Sequence, residues 1–236
     1  AVRKTAAACC AKVEKDIESA GRMYEAFLKT AKKYGLSAYA IRCWPEWSDL
    51  FGIAPCAAIG MLNNDRIVSS CEGDVLGAVL MAMEASLSGG TPFFADLISF
   101  DYAANTAVLW HCGAAPSSIC RTFSETTLSQ HFRVDGGNKK GLTNEFSMKA
   151  GAITLAQLDE DGDGYRMLIA KGTALDTEPF IRGNPLNVKF ACPVEKLVGT
   201  IMTQGFKHHY SIIHADVEAE LIELCRWLGI TPVVVK

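Results

Sequence analysis

Two acids in this chain stand where an isolated carboxylate is costly and useful. Glu72 lies in Cys71-Glu72-Gly73-Asp74, at the junction of a short apolar run and a helical one, the strand edge where open α/β sheets bind ligands. Asp96 follows 24 residues later inside Phe93-Phe94-Ala95-Asp96-Leu97-Ile98, where an unpaired carboxylate costs several kcal/mol and so needs a cation or a donor. His111 closes another apolar run, Leu109-Trp110-His111-Cys112-Gly113, and His208-His209 lead into a third. Position alone also fits structural roles: Glu72 as the negative charge at a helix N-terminus, Asp96 as the acceptor of an internal Arg or a backbone turn, each histidine as a satisfied core residue. A histidine pair beside two buried acids shifts that balance, because imidazole and carboxylate together suit a divalent ion such as Mn²⁺.

Other chemistries lack their signals. Asp159-Glu160-Asp161-Gly162-Asp163-Gly164 resembles the first half of a calcium loop, but position 12 of such a loop would be Ala170, where a bidentate Glu is required. The flanks read as strands, so a hairpin turn fits better. There is no Walker loop, no GxGxxG ahead of a helix and no GxSxG elbow. The nine cysteines are irregularly spaced and several sit in apolar runs, so reduced thiols are expected; no CxxC occurs, and no spacing supports a structural zinc site. A net charge of −3 from 23 basic and 26 acidic residues, with no long run of either sign, disfavours nucleic acid and membrane as partners. A small neutral or weakly polar ligand fits. With no basic-then-apolar leader and no run of about 18 apolar residues, a cytoplasmic chain is expected.

The elements that must position these groups can be read from periodicity. A helical pattern runs from Lys4 to Lys33, a short strand from Ala38 to Arg42, a helix from Trp44 to Leu62, a strand from Arg66 to Ser70, a helix from Val75 to Leu87 and a strand from Pro92 to Phe100. That alternation predicts a partial parallel, Rossmann-like α/β layer over residues 1–100 carrying both carboxylates. Residues 101–236 read as a mostly antiparallel, β-barrel-like domain, with strands at Ala107–Cys112, Gly151–Asp159, Tyr165–Gly172 and Val188–Ala191. It ends in a helix at Val194–Thr203, a strand near Tyr210, a helix at Val217–Leu228 and Val233–Val235. The chain opens inside a helical pattern without a cap or a preceding strand, and further sequence upstream is expected.

Cys43-Trp44-Pro45-Glu46, Cys71-Glu72-Gly73-Asp74-Val75 with Gly77-Ala78, Thr91-Pro92-Phe93-Phe94-Ala95-Asp96 and Leu109-Trp110-His111-Cys112-Gly113 occur in the order found in the L-fucose and L-arabinose isomerase superfamily, which the chain resembles over most of residues 40–235. The resemblance implies a metal-dependent aldose–ketose isomerase of the L-fucose, D-arabinose or L-arabinose type, working by proton transfer through a cis-enediol. Glu72 and Asp96 would then be both the catalytic acid/base pair and ligands of Mn²⁺ or another divalent metal. Gly205-Phe206-Lys207-His208-His209 resembles the histidine-pair loop of the arabinose branch and makes His209 the third ligand, ahead of His208. Substrate contacts would fall to His111, Trp44, Glu46, Gln204 and His208. Relatives carry a further N-terminal region, which in the fucose branch covers a neighbouring subunit's sugar. Its partners would thus be an N-terminal region or separate N-terminal chain and copies of itself in a homo-oligomer, and alone it should present an open metal face with little activity. The alternative is a non-catalytic homologue that binds sugar or metal as a regulatory subunit. No family residue is placed between Pro116 and Gly151.

Overall fold

The computed structural model describes residues 1–131 and 141–236; residues 132–140, within the stretch left unassigned above, lie outside them. In chain order the elements are β1 (Ala8–Cys9), α1 (Asp16–Tyr34), β2 (Ala38–Ala40), α2 (Cys56–Asn64), β3 (Val68–Ser70), α3 (Val75–Ser88), β4 (Phe93–Asp101) and β5 (Thr106–His111). There follow β6 (Thr127–Ser129), β7 (Thr143–Glu145), β8 (Gly151–Glu160), β9 (Tyr165–Ala174), β10 (Asn184–Phe190), α4 (Val194–Gln204), β11 (His209–Ile213), α5 (Glu218–Leu228) and β12 (Thr231–Val235).

Two expected helices are shorter than their patterns. The first starts at Asp16, not Lys4, because Ala8 and Cys9 pair with Thr127 and Leu128 of β6, which leaves only short 3-10 turns at Val2–Thr5 and Ala11–Val13 on either side of that strand. Asp16 and Glu18 in its first turn and Lys32 and Lys33 in its last complement the helix dipole. The helix expected from Trp44 to Leu62 is broken: Gly52, at φ 89°, closes a single π-helical turn at Trp47–Phe51, and Pro55 then caps the start of α2.

The fold is mixed α/β. The parallel layer expected of the first hundred residues is confined to β2 with β3. β4, expected in that layer, instead pairs antiparallel with β5 and β11, because β11 arrives from the far end of the chain to satisfy its other edge. A seven-stranded sheet runs β10-β5-β4-β11-β8-β9-β12, and β10 also pairs with β9, so six strands form a ring of hydrogen-bonded neighbours with β12 added parallel to β9. The calcium-like segment is the tip of the β8–β9 hairpin, where Glu160 faces Tyr165.

Period-two alternation sorts the side chains. Phe93 and Ala95 of β4, Leu109 of β5, Leu168 and Ala170 of β9, and Tyr210 and Ile212 of β11 point into one apolar core. Phe94, on the opposite face of β4, joins a second core with Met23, Ile59, Leu62 and Met81 from the helices. Asp96 shares the Phe94 face, and His209 and Ser211 alternate with Tyr210 and Ile212, so the polar groups of the site are turned away from the sheet interior. Among the described residues no helix is long and apolar enough to cross a membrane.

Candidate active site

Glu72 occupies the turn from β3 into α3. Its φ of 59° is left-handed, as is that of Gly73 at 72°; holding a non-glycine residue there costs on the order of 1–2 kcal/mol. The turn is fastened by the Gly73 N–H to Ile41 O at 3.0 Å and the Ser70 hydroxyl to Asp74 O at 2.7 Å. Asp74 caps α3, its Oδ1 accepting from the Gly77 N–H at 2.7 Å.

Asp96 and His209 are direct partners across the β4–β11 pairing. The Phe94 ring packs 4.8 Å from the His209 ring. Gln157 Nε2 donates to His209 O at 2.7 Å, and the buried Asp159 forms an ion pair with Lys207 at 2.7 Å and accepts from Arg166 at 2.9 Å, anchoring the segment that leads to the histidines.

The three groups converge on one nitrogen. His209 Nε2 lies 3.5 Å from Glu72 Oε2 and 3.5 Å from Asp96 Oδ1, while its Nδ1 sits 3.0 Å from Asp74 Oδ2. A carboxylate can only accept, so Nδ1 donates to Asp74, and when the ring is neutral, as a metal ligand must be, the Nε2 lone pair is aimed between the two acids. Nε2 and Asp96 Oδ1 are buried and make no hydrogen bond. Two orphaned acceptors facing each other beside a second carboxylate suit a cation, and the mix of imidazole and carboxylate oxygen suits a divalent one. Electrostatics agree that positive charge is favoured here: burial opposes protonation of His209, yet Asp74 and Glu72 raise its pKa to about 9. The His209 imidazole holds Glu72 below the usual carboxylate range, whereas burial pushes Asp96 above it.

His208 stands 4.0 Å from Asp96, with 71% of its side chain exposed against 10% for His209. His111 is buried at the end of β5, its ring 6.4 Å from Phe94, and its charge acts on both acids. Trp44 and Glu46 lie on the loop after β2; Trp44 is exposed and Glu46 pairs with Arg42 at 2.8 Å. Gln204 is the exposed last residue of α4. Sequence reasoning missed Asp74, Phe94, Gln157 and Asp159 as supports of the site.

Gly77 sets the distance between α3 and this site. A Cβ there would stand 2.4 Å from Phe94 Cε2, so Gly77→Ala must displace the ring that packs on His209. We expect a loss of about 1–3 kcal/mol in denaturant unfolding.

Known proteins share much of this sequence. Residues 109–235 match the family described as L-fucose isomerase, C-terminal domain; that segment contains His111, His208 and His209, and Glu72 and Asp96 precede it. The chain is 38% identical over 200 residues to a sulfoquinovose isomerase of Alkalicoccus urumqiensis, covering 84% of this chain and 44% of that protein. It is 35% identical over 196 residues to a sulfoquinovose isomerase of Priestia megaterium, covering 83% and 43%. With one of a Clostridium species (strain MSTE9) it shares 34% identity over 209 residues, covering 88% and 46%. The chain spans less than half the length of each of these relatives. With more than half of its residues matched by one family and its acids and histidine gathered at one point, the chain belongs to the L-fucose isomerase family, of which it carries the C-terminal domain.

Proposed function

We propose that this chain is the metal-carrying part of an aldose–ketose isomerase, with sulfoquinovose the first aldose to test and L-fucose, D-arabinose and L-arabinose the next. The observation that carries this reading is the approach of Glu72 and Asp96 to the same unpartnered nitrogen, His209 Nε2, at 3.5 Å each. Converting an aldose to a ketose removes a proton from the carbon beside the carbonyl and returns one to the neighbouring carbon, through a cis-enediol. Glu72, with 45% of its side chain exposed against 24% for Asp96, is the carboxylate placed to meet the sugar's C–H and take its proton. Asp96, in the drier position, holds or returns a proton on the oxygen side of the same sugar. Glu72, Asp96 and His209 would hold a divalent ion such as Mn²⁺, which supplies neutralisation of the charge that develops on the two sugar oxygens. Trp44, on the loop that begins at Ile41, whose carbonyl accepts from Gly73 of the Glu72 turn, would offer an apolar wall. Cover for the rest of the sugar would come from a longer chain or a second copy.

The test is turnover of each sugar with Mn²⁺, by this chain and by a longer chain that includes it, read as ketose formed and as solvent deuterium incorporated beside the carbonyl. Ketose with deuterium supports the reading. Binding of metal and sugar by the longer chain, with no turnover of any of the four, replaces it with the binding-protein alternative.

Asp74 provides a further check that needs no turnover. Asn at position 74 can keep the α3 cap only by turning its NH₂ toward His209, which drives the imidazole proton to Nε2 and blocks the lone pair. Asp74→Asn should weaken Mn²⁺ binding about 10–100-fold at nearly unchanged stability, measured by titration of the free ion; unchanged affinity would remove Asp74 from the metal-holding machinery.

A further inference from the structure

One residue beyond His111, the structure gathers soft donors that no spacing in the sequence announces. Cys56 opens α2, Cys112 follows β5, and His131 lies just past β6. The Sγ atoms of Cys56 and Cys112 and a ring nitrogen of His131 all lie within 4.8 Å of one another. The two sulfurs stand 3.7 Å apart. Two thiolates on one tetrahedral zinc ion, with bonds of about 2.3 Å, are separated by roughly 3.8 Å, so the pair already has the spacing of two such ligands. His131 is only 8% exposed, so the ring nitrogen that approaches the two sulfurs does so away from water, and its Nδ1 is buried with no hydrogen-bond partner, a state that is costly without a ligand or water. The neighbouring pair Cys43 and Cys71, at 2.9 Å, is too close for two ligands of one ion.

We propose that Cys56, Cys112 and His131 form a second metal site, for a soft or borderline divalent ion of the Zn²⁺ kind, with a fourth position left to water or another donor. It shares no ligand with the carboxylate site. The chemistry of the two differs in the direction that separates metals: oxygen-rich donors around His209 suit a harder ion, thiolates a softer one. Two thiolates and a neutral imidazole balance a divalent charge, which a buried position requires. Such an ion ties together three segments distant in sequence. One of them ends in His111, whose Nδ1 accepts the Cys112 N–H at 2.9 Å, so the site would also brace the imidazole beside Asp96.

Cobalt(II) reports thiolate ligation directly, through a sulfur-to-metal charge-transfer band in the near ultraviolet. The chain, stripped with a chelator and titrated with Co²⁺, should develop that band with a stoichiometry of one ion per chain. Cys112→Ser should abolish the band, His131→Gln should shift it and weaken Co²⁺ binding, and Glu72→Gln should leave it unchanged. His131→Gln keeps both thiols in the core, so it carries the test if Cys112→Ser does not fold by circular dichroism. Absence of the band in the unsubstituted chain at excess Co²⁺ overturns the proposal. So does an unaltered band and affinity in His131→Gln, or a band that Glu72→Gln removes.

Discussion

Glu72→Gln should lower isomerase turnover by about 10²–10⁴-fold, the usual worth of a positioned proton-transfer group, and excess Mn²⁺ should not restore it. The amide keeps the size of the side chain and one oxygen donor, so the metal-holding geometry is changed little while the proton acceptor is lost. His209→Ala provides the contrast. It removes a donor that does no proton transfer, so its defect should lie in metal affinity, with partial activity returning at high Mn²⁺. The two substitutions act on groups 3.5 Å apart, and a general disturbance of the pocket would make them behave alike. Measured on a longer chain that turns over sugar, equal rescue of both by Mn²⁺ would remove Glu72 from acid/base duty and leave it a ligand.

What the sequence disclosed and what it withheld divide along the range of the signal. Glu72 and Asp96 were legible because each breaks a local pattern: one acid at a strand-to-helix junction, one inside an apolar strand. The helix from Val75 and the β8–β9 hairpin were legible for the same reason, since helix starts and turns are written within a few residues. The pairing of β4 with β11 was not. It joins residues more than a hundred positions apart, and the same apolar run reads equally well as a buried parallel strand. That non-local pairing sets His209 directly opposite Asp96 and brings His208 to the same acids, its Nε2 4.0 Å from Asp96 Oδ1 and its ring within reach of Glu72 as well; the two histidines, separated in the sequence only by a family likeness, differ here in burial, with 10% of the His209 side chain exposed against 71% of His208. Asp74 shows the limit within one residue. Its Oδ1 serves the local cap, and its Oδ2 meets His209, 135 positions away. The start of α1 was misread because a two-residue strand pairing with β6 overrides a helical pattern that has no cap of its own.

Glu84→Gln should make the protein more stable above pH 8 than it is with the native residue, and about equally stable near pH 4.5. Glu84 lies on the inner face of α3, fully buried, where its Oε2 accepts from the Ser211 hydroxyl of β11 and its Oε1 has no hydrogen-bond partner. Burial raises its pKa from 4.5 to about 8, with the Ser211 hydroxyl opposing the shift. A carboxyl shifted upward on folding is protonated in the folded chain and ionised in the unfolded one between those two values, so folding takes up a proton there. The stability linked to that proton is fully present below about pH 4.5, declines as pH rises and is gone above about 8. Glutamine has the shape of the neutral acid and does not titrate, so the variant lacks this decline. The gap should open to about 2–5 kcal/mol in its favour, read from denaturant unfolding of both proteins at several pH values. Comparing the two at each pH cancels the titration of groups they share, including the acids and histidines of the candidate site. Ser211 can still donate to the amide oxygen, so the hydrogen bond to β11 is kept, and the experiment isolates the charge. Stability curves that run parallel from pH 4.5 to 9 would mean that Glu84 ionises in the folded chain as readily as in the unfolded one, with water or a cation reaching a carboxyl that the packing of α3 on β11 otherwise seals.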